Sequence, residues 1–234
     1  MQEANRERID LWLSDLLGVP ASMVFDGHLT VGMHSGLGDF LGIVVVGRGT
    51  SAHISLPHWA NRELVDDLVE RPISDLMSPK FWKHYPATDQ LRVSPLVTHY
   101  FTDQAVEMPT KVERIVPADI ADWRELVSRK KWEASGFAQQ VEVAYGVRAQ
   151  GDLAAASNLT LFRGVPSDVG VLTHPKYRGK GYASRVAKAA TSYAVGNHEI
   201  ARFRGNAEDP RSASIAEALG FEPYFDELRI VPKL

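Results

Sequence analysis

Apolar residues recur at helical spacing at Ile9, Trp12, Leu13, Leu16 and Leu17, and Gly18 followed by Pro20 ends the pattern. The chain is therefore predicted to open on an amphipathic helix. Two strand-like runs follow, His28 to Met33 and Phe40 to Val46, the second continuing after Gly47-Arg48-Gly49 into Ala52 to Leu56. Asn61 is placed to cap a helix with the stripe Leu64, Val65, Leu68 and Val69. From Arg71 to Pro95 four prolines break the pattern and Phe81, Trp82 and Tyr85 supply aromatic bulk, which predicts short helices and loops over an apolar surface. Leu96 to Phe101 reads as a strand.

A second pattern starts near Lys111. Val112 to Val116 is predicted as a strand, Pro117 opens a helix carrying Ile120, Trp123, Leu126 and Val127, and Val141 to Ala149 is rich in strand formers. Leu153 to Phe162 and Asp168 to Thr173 are two more strands, with turns at Gln150-Gly151-Asp152 and Val165-Pro166-Ser167. Ala183, Val186, Ala187, Ala190 and Ala194 mark a helix. Ile200 to Phe203 is a strand, Ser212 to Leu219 a helix, and Phe221 to Val231 a closing strand or pair. The alternation predicts an α/β fold with a mixed sheet. The change of pattern divides it into residues 1–105, a cap or a degenerate second copy of the second half, and residues 106–234, which carry the chemistry.

Composition narrows the classes. Hydrophobic residues make up 44% and charged residues 24% of 234, the balance of a globular chain that buries a core without staples. The formal charge of -3 offers no basic field for nucleic acid. The absence of cysteine excludes disulfides, thiolate metal sites and a cysteine nucleophile, and fits a reducing compartment. The first residues lack the apolar core of a secretory signal, and no run approaches the roughly 20 apolar residues of a membrane span, so the expected location is the cytoplasm with no membrane partner. The eight histidines show no metal-ligand spacing, and no metal is expected.

The segment richest in chemistry runs from Val169 to Ala183 and reads strand, tight loop, helix. Pro175 ends the strand, and Gly179 and Gly181 allow dihedrals that turn successive N–H groups to one concave side. The helix from Tyr182 adds unpaired N–H groups and the positive end of its dipole, and Arg178 and Lys180 add formal charge. Such an arrangement suits a diphosphate. It is neither a Walker loop, since no Ser or Thr follows Lys180, nor a dinucleotide fingerprint, since the third glycine is absent.

The run Thr173-His174-Pro175-Lys176-Tyr177-Arg178-Gly179-Lys180-Gly181 resembles the acetyl-CoA signature of the GNAT superfamily, Arg/Gln-x-x-Gly-x-Gly/Ala, with Arg178, Gly181 and Ala183 at the matching places. Asp209, Ser212, Ile215 and Leu219-Gly220-Phe221 are similar to the late motif of the same family, and the resemblance covers Lys111 to the C-terminus. Val171-Leu172-Thr173-His174-Pro175, with Phe203-Arg204 before the late motif, resembles the branch that includes zwittermicin-resistance-type acetyltransferases, which brings antibiotic resistance into view. The resemblance implies that the backbone of Val171, Leu172 and Thr173 pairs with the pantetheine arm of acetyl-CoA. It implies that the loop and first turn from Arg178 through Gly179, Lys180, Gly181, Tyr182 and Ala183 to Ser184 hold the pyrophosphate, with Asp209 in the place of a common asparagine. It further implies direct attack of an amine on the thioester, with a carboxylate base and a donor for the leaving thiolate. The tyrosine that often serves as donor is Ala216 here, which leaves Ser212 or water. The expected acceptor is a small-molecule amine, and the chain is expected to be a monomer or homodimer. The alternatives are a non-catalytic acyl-CoA-binding module and a protein or peptide N-acetyltransferase.

Other residues carry two readings each. Asp168, at the start of the strand leading to the loop, is either the general base or a turn residue. Glu142 is a second candidate base or part of a solvated strand face; Tyr145 and Asn158 line an acceptor pocket or serve packing and pairing. His174 is a candidate site residue beside the loop or is incidental to it. His34-Ser35 lies in a Gly-rich segment without a nucleophile elbow, and Phe81, Trp82 and Tyr85 either stack on a substrate or anchor a loop.

Overall fold

The computed structural model describes residues 1–86, 90–162 and 165–233. Contacts divide the chain into two compact units: Met1 with Tyr100–Arg204 and Arg211–Glu222, and Gln2–His99 with Gly205–Pro210 and Pro223–Leu234.

The first unit is built on a four-stranded antiparallel sheet in the order β6 (Glu113–Ile115), β7 (Val143–Ala149), β8 (Asp152–Phe162), β9 (Val165–Thr173). Helix α8 (Tyr182–His198) covers one face, where its stripe buries Ala187, Ala190 and Ala194 with Val143, Tyr145, Leu159 and Val169, and Val186 with Val147, Ala155 and Tyr177. Small residues on this stripe let the helix approach the sheet closely, and the Ser157 hydroxyl donates to the Val186 carbonyl at 2.6 Å. The other face carries Ala144, Ala156 and Leu172, packed with Ile120, Trp123 and Phe137. Trp123 belongs to α6 (Trp123–Leu126); α7 (Arg129–Ala134) follows. The single helix expected from Pro117 is therefore broken into a 3₁₀ turn, Pro117–Ile120, and α6. The turn expected at Val165-Pro166-Ser167 is instead strand. Pro166 stands opposite Leu161 where the β8–β9 register shifts, a place at the start of a strand where a missing N–H costs little.

In the second unit, β2 (Ile43–Arg48) and β3 (Ser51–Leu56) pair antiparallel, β1 (Leu29–Met33) pairs parallel to β3, and β11 (Glu222–Pro232) runs antiparallel to β2. The full strand order is β1-β3-β2-β11-β5-β10, with β5 at Val97–Thr102, β10 at Ala201–Asn206 and β4 (Leu91–Val93) beside β11. Strands β5, β10 and β11 each pass from one unit into the other. The first helix, α1 (Glu3–Leu17), buries Ile9, Leu13, Leu16 and Leu17, and Gly18 ends it at φ +75°. A four-residue helix, α2 (Ala21–Val24), follows. Helix α3 (Arg62–Val69) starts at Asn61, whose side chain accepts from the Leu64 amide at 2.9 Å, as its sequence predicts. The proline-broken stretch forms α4 (Ile73–Leu76), α5 (Pro79–Lys83) and β4, and its residues 87–89 lie outside those described. Trp82 is fully buried with Leu68 and Leu76, and its indole donates to the Leu76 carbonyl. The aromatic cluster thus anchors this segment to the core.

Candidate active site

The sheet, the loop and the helix of the first unit assemble one polar edge. Strand β9 ends the four-stranded sheet, and Val171, Leu172 and Thr173 form its last turn of pleat, paired on one side with Ser157, Ala156 and Ala155 of β8. Leu172 is buried against the Trp123 cluster, whereas Val171 and Thr173 are half-buried. His174 leaves the strand; its ring accepts from the Lys176 amide at 3.2 Å and lies edge-on to Trp123. Pro175–Tyr177 makes a 3₁₀ turn whose Tyr177 is buried, with its hydroxyl donating to Asp152 at 2.6 Å. These contacts fix the base of the loop.

Beyond Tyr177, Arg178, Gly179, Lys180 and Gly181 are exposed. Gly179 and Gly181 adopt φ +75° and +76°, and a Cβ built on either meets nothing within 4 Å. Gly181 is the N-cap of α8, so the amides of Tyr182, Ala183 and Ser184 occupy its first turn and have no carbonyl four residues back within the helix. Two left-handed glycines, first-turn amides and two cationic side chains fit a diphosphate.

The edge of β9 meets β10 at a charged cluster. Asp168 is cross-strand from Thr160, and its carboxylate is held by Arg204 through Nε at 2.7 Å and Nη2 at 2.6 Å. Arg202 Nε lies 3.8 Å from the same carboxylate. Arg202 and Arg204 alternate along β10, so both side chains leave it on one side. Asp168 and Arg202 are largely buried, at 13% and 7% side-chain exposure, while Arg204 is one-third exposed. Sequence reasoning passed over these two arginines as partners of Asp168; their period-two spacing in Arg202-Phe203-Arg204 was the available signal.

The remaining candidates separate. Glu142 accepts from the Tyr193 hydroxyl at 3.1 Å and lies 2.9 Å from His198, at the end of α8 opposite to the glycine loop. Tyr145 is core, packed with Leu159 and Val169. Asn158 is fully buried and donates to the Ser135 carbonyl at 2.7 Å, tying the segment after α7 to β8. Ser212 is half-buried in the first turn of α9 (Pro210–Ala218), Asp209 just precedes that helix, and Ala216 lies fully buried among Phe203 and Phe221. In the second unit, His34 pairs with the Phe40 carbonyl at 2.7 Å. An open concavity of about 810 Å³ there is lined by Asp67, Arg71 and Tyr85, which are bonded to one another and offer no acyl-transfer chemistry. Among the described residues, no cluster of His, Asp and Glu could hold a metal ion, and no helix is long and apolar enough to cross a membrane.

The family profile described as acetyltransferase (GNAT) domain matches residues 82–222, which contain the glycine loop, the Asp168 cluster and Leu219-Gly220-Phe221. The chain belongs to the GNAT acetyltransferase family. GNAT chemistry is acyl transfer from acyl-CoA. The fold is shared with a solved Drosophila structure. A Drosophila protein is 14% identical with a TM-score of 0.52, over 98% of this chain and 88% of that one. A Novosphingobium aromaticivorans protein ascribed to the GNAT acetyltransferases is 19% identical, over 62% of this chain and 69% of that one, with a TM-score of 0.46. A GCN5-related N-acetyltransferase from Kribbella flavida is 22% identical, over 62% of this chain and 61% of that one, with a TM-score of 0.45. The chain thus spans less than two-thirds of the Kribbella protein's length. No protein of curated function matches.

Proposed function

We propose that this GNAT protein transfers an acetyl group from acetyl-CoA to the amine of a small molecule. The observation that carries the reading is the pair of left-handed glycines, Gly179 and Gly181, opening α8 after β9, the last strand of the four-stranded sheet. In this reading the first-turn amides with Arg178 and Lys180 hold the pyrophosphate, and Val171 to Thr173 align the pantetheine arm along β9. Bound acetyl-CoA supplies an activated acyl thioester. Residues 106–234 carry the transfer, and residues 1–105 serve acceptor selection.

An amine is protonated at neutral pH and must lose a proton before it attacks. Asp168 is the proposed acceptor of that proton, being a largely buried carboxylate on the strand that leads to the loop. Ser212, in the first turn of α9, or water returns a proton to the thiolate. Because Ala216 is buried in the core, no side chain at that position reaches the leaving group.

The test is calorimetric titration of acetyl-CoA followed by thiol release with a panel of amines. Micromolar binding with thiol release from small amines supports the reading. Binding with no release from any amine identifies an acyl-CoA-binding module instead, and release from peptide amines alone identifies a peptide acetyltransferase.

A further inference from the structure

The Asp168–Arg204 pair poses a chemical problem for a base. Nε and Nη2 of one guanidinium engage both oxygens of the carboxylate, so an incoming ammonium has to compete with Arg204 for it. A second guanidinium, Arg202, stands 3.8 Å away. An amine carrying only positive charge would bring a further cation beside Arg202 and Arg204, and like charges at this range repel.

We infer that the acceptor carries a carboxylate next to its amine, as an α-amino acid does, and that Arg204 changes partner when it binds. The inference rests on the acyl-transfer reading above. The guanidinium fork that fits the Asp168 carboxylate fits a substrate carboxylate equally well. The acceptor's ammonium then takes the guanidinium's place beside Asp168. Four charges exchange partners and none is left uncompensated, which is the condition for doing this in a partly buried site. Thr160 adds to the subsite: it stands on β8 directly opposite Asp168, and its hydroxyl is buried with no hydrogen-bond partner among the described residues. It accepts one N–H of the incoming ammonium.

Released from Arg204, Asp168 takes one proton from the ammonium. The neutral nitrogen forms the new N–C bond at the thioester carbonyl, the C–S bond breaks, and the sulfur leaves with the electron pair. The nitrogen sheds a second proton and the thiolate gains one. The sum is ammonium plus acetyl thioester giving amide, free thiol and one proton. Arg204 is in this account the specificity-determining residue, and an amine without an anion leaves the base locked.

Three sets of probes separate the possibilities: the standard L-amino acids, their carboxamides, and the corresponding decarboxylated amines. Each is titrated calorimetrically into the protein saturated with CoA and, separately, assayed for thiol release with acetyl-CoA. For the preferred side chain we expect the acid to exceed both its amide and its amine by at least about 100-fold in kcat/KM, since a site built for a charged group rejects the analogue that lacks it. Arg204→Gln should lower affinity for the acid by more than about tenfold and erase the preference, while leaving acetyl-CoA affinity unchanged; Arg204→Lys, which keeps the charge without the fork, should recover part of it. Thermal melts check that each variant folds, and Arg204→Lys alone decides if Arg204→Gln does not. Turnover of amides or plain amines as fast as acids overturns the inference and leaves acetyl transfer intact. Equal calorimetric affinity for acid and amide overturns it whatever the activity. Selective binding of acids without thiol release supports the carboxylate subsite and overturns the acyl-transfer reading.

Discussion

Gly170 on β9 and Ser135 after α7 approach so closely that a Cβ on the glycine would stand 2.0 Å from the Ser135 carbonyl oxygen. Asn158 holds that carbonyl in place from the neighbouring strand. Gly170→Ala should therefore push the Ser135–Gly136 segment off the sheet and lower stability by about 1–3 kcal/mol. Gly196, in α8, is the contrast: a Cβ there meets nothing within 4 Å, and Gly196→Ala should raise stability by about 0.5–1 kcal/mol through helix propensity alone. Urea denaturation of the two variants, read by far-UV circular dichroism, gives opposite signs if this reading is right.

Gly181→Val should abolish acetyl-CoA binding. The residue sits at φ +76°, where a β-branched side chain is strained, and the added methyls would occupy the open space beside the loop. A loss of at least tenfold, about 1.4 kcal/mol, is expected in calorimetry, and affinity should also fall with salt because Arg178 and Lys180 are exposed. Undiminished affinity in this variant would remove the loop from the cofactor site.

Asp168→Asn should reduce the turnover number by on the order of 10²-fold and leave acetyl-CoA affinity nearly unchanged. Ser212→Ala should have a smaller effect, because a thiolate leaves tolerably without a dedicated acid. Single-turnover rates for both variants, with an acceptor that the wild type acetylates, make the comparison. An Asp168→Asn protein with full activity would place the base elsewhere.

His53 makes stability depend on pH. It is fully buried on β3, its Nδ1 lies 2.8 Å from the Thr30 hydroxyl, and burial pushes its pKa down from 6.5 to about 4. Between these values the unfolded chain carries the proton and the native chain does not. Stability should therefore fall as pH drops from 6.5 to about 4, by roughly 3 kcal/mol from this one group, and level off below. Denaturant titrations of wild type and His53→Gln across that range should differ by this slope; parallel curves would mean that the ring is hydrated in solution.

Much of the site's scaffold is legible in the linear chain because its causes are local. The alanine stripe from Ala183 to Ala194 predicts α8 and the face it buries, and Gly179 with Gly181 predicts a left-handed loop before it. Asn61 announces α3 by its own hydrogen bond. The broken helix after Pro117 was less legible, since Ile120, Trp123 and Leu126 keep helical spacing across a break fixed by packing against Ala156 and Leu172. The Arg204–Asp168 pair lies 36 residues apart in sequence, and only the meeting of two sheet edges makes the carboxylate and the guanidinium neighbours. The same is true of Gly170, whose need for glycine comes from a carbonyl 35 positions earlier.

Strands β5, β10 and β11 each belong to both compact units, and each unit is assembled from three stretches of the chain. No single cut divides such a chain into two intact pieces: severed anywhere, each fragment lacks a stretch that one unit requires. A gene encoding it cannot lend either unit to another protein by simple fusion at one junction. Recombination that respects this fold has to move the whole reading frame, or exchange several short stretches at once.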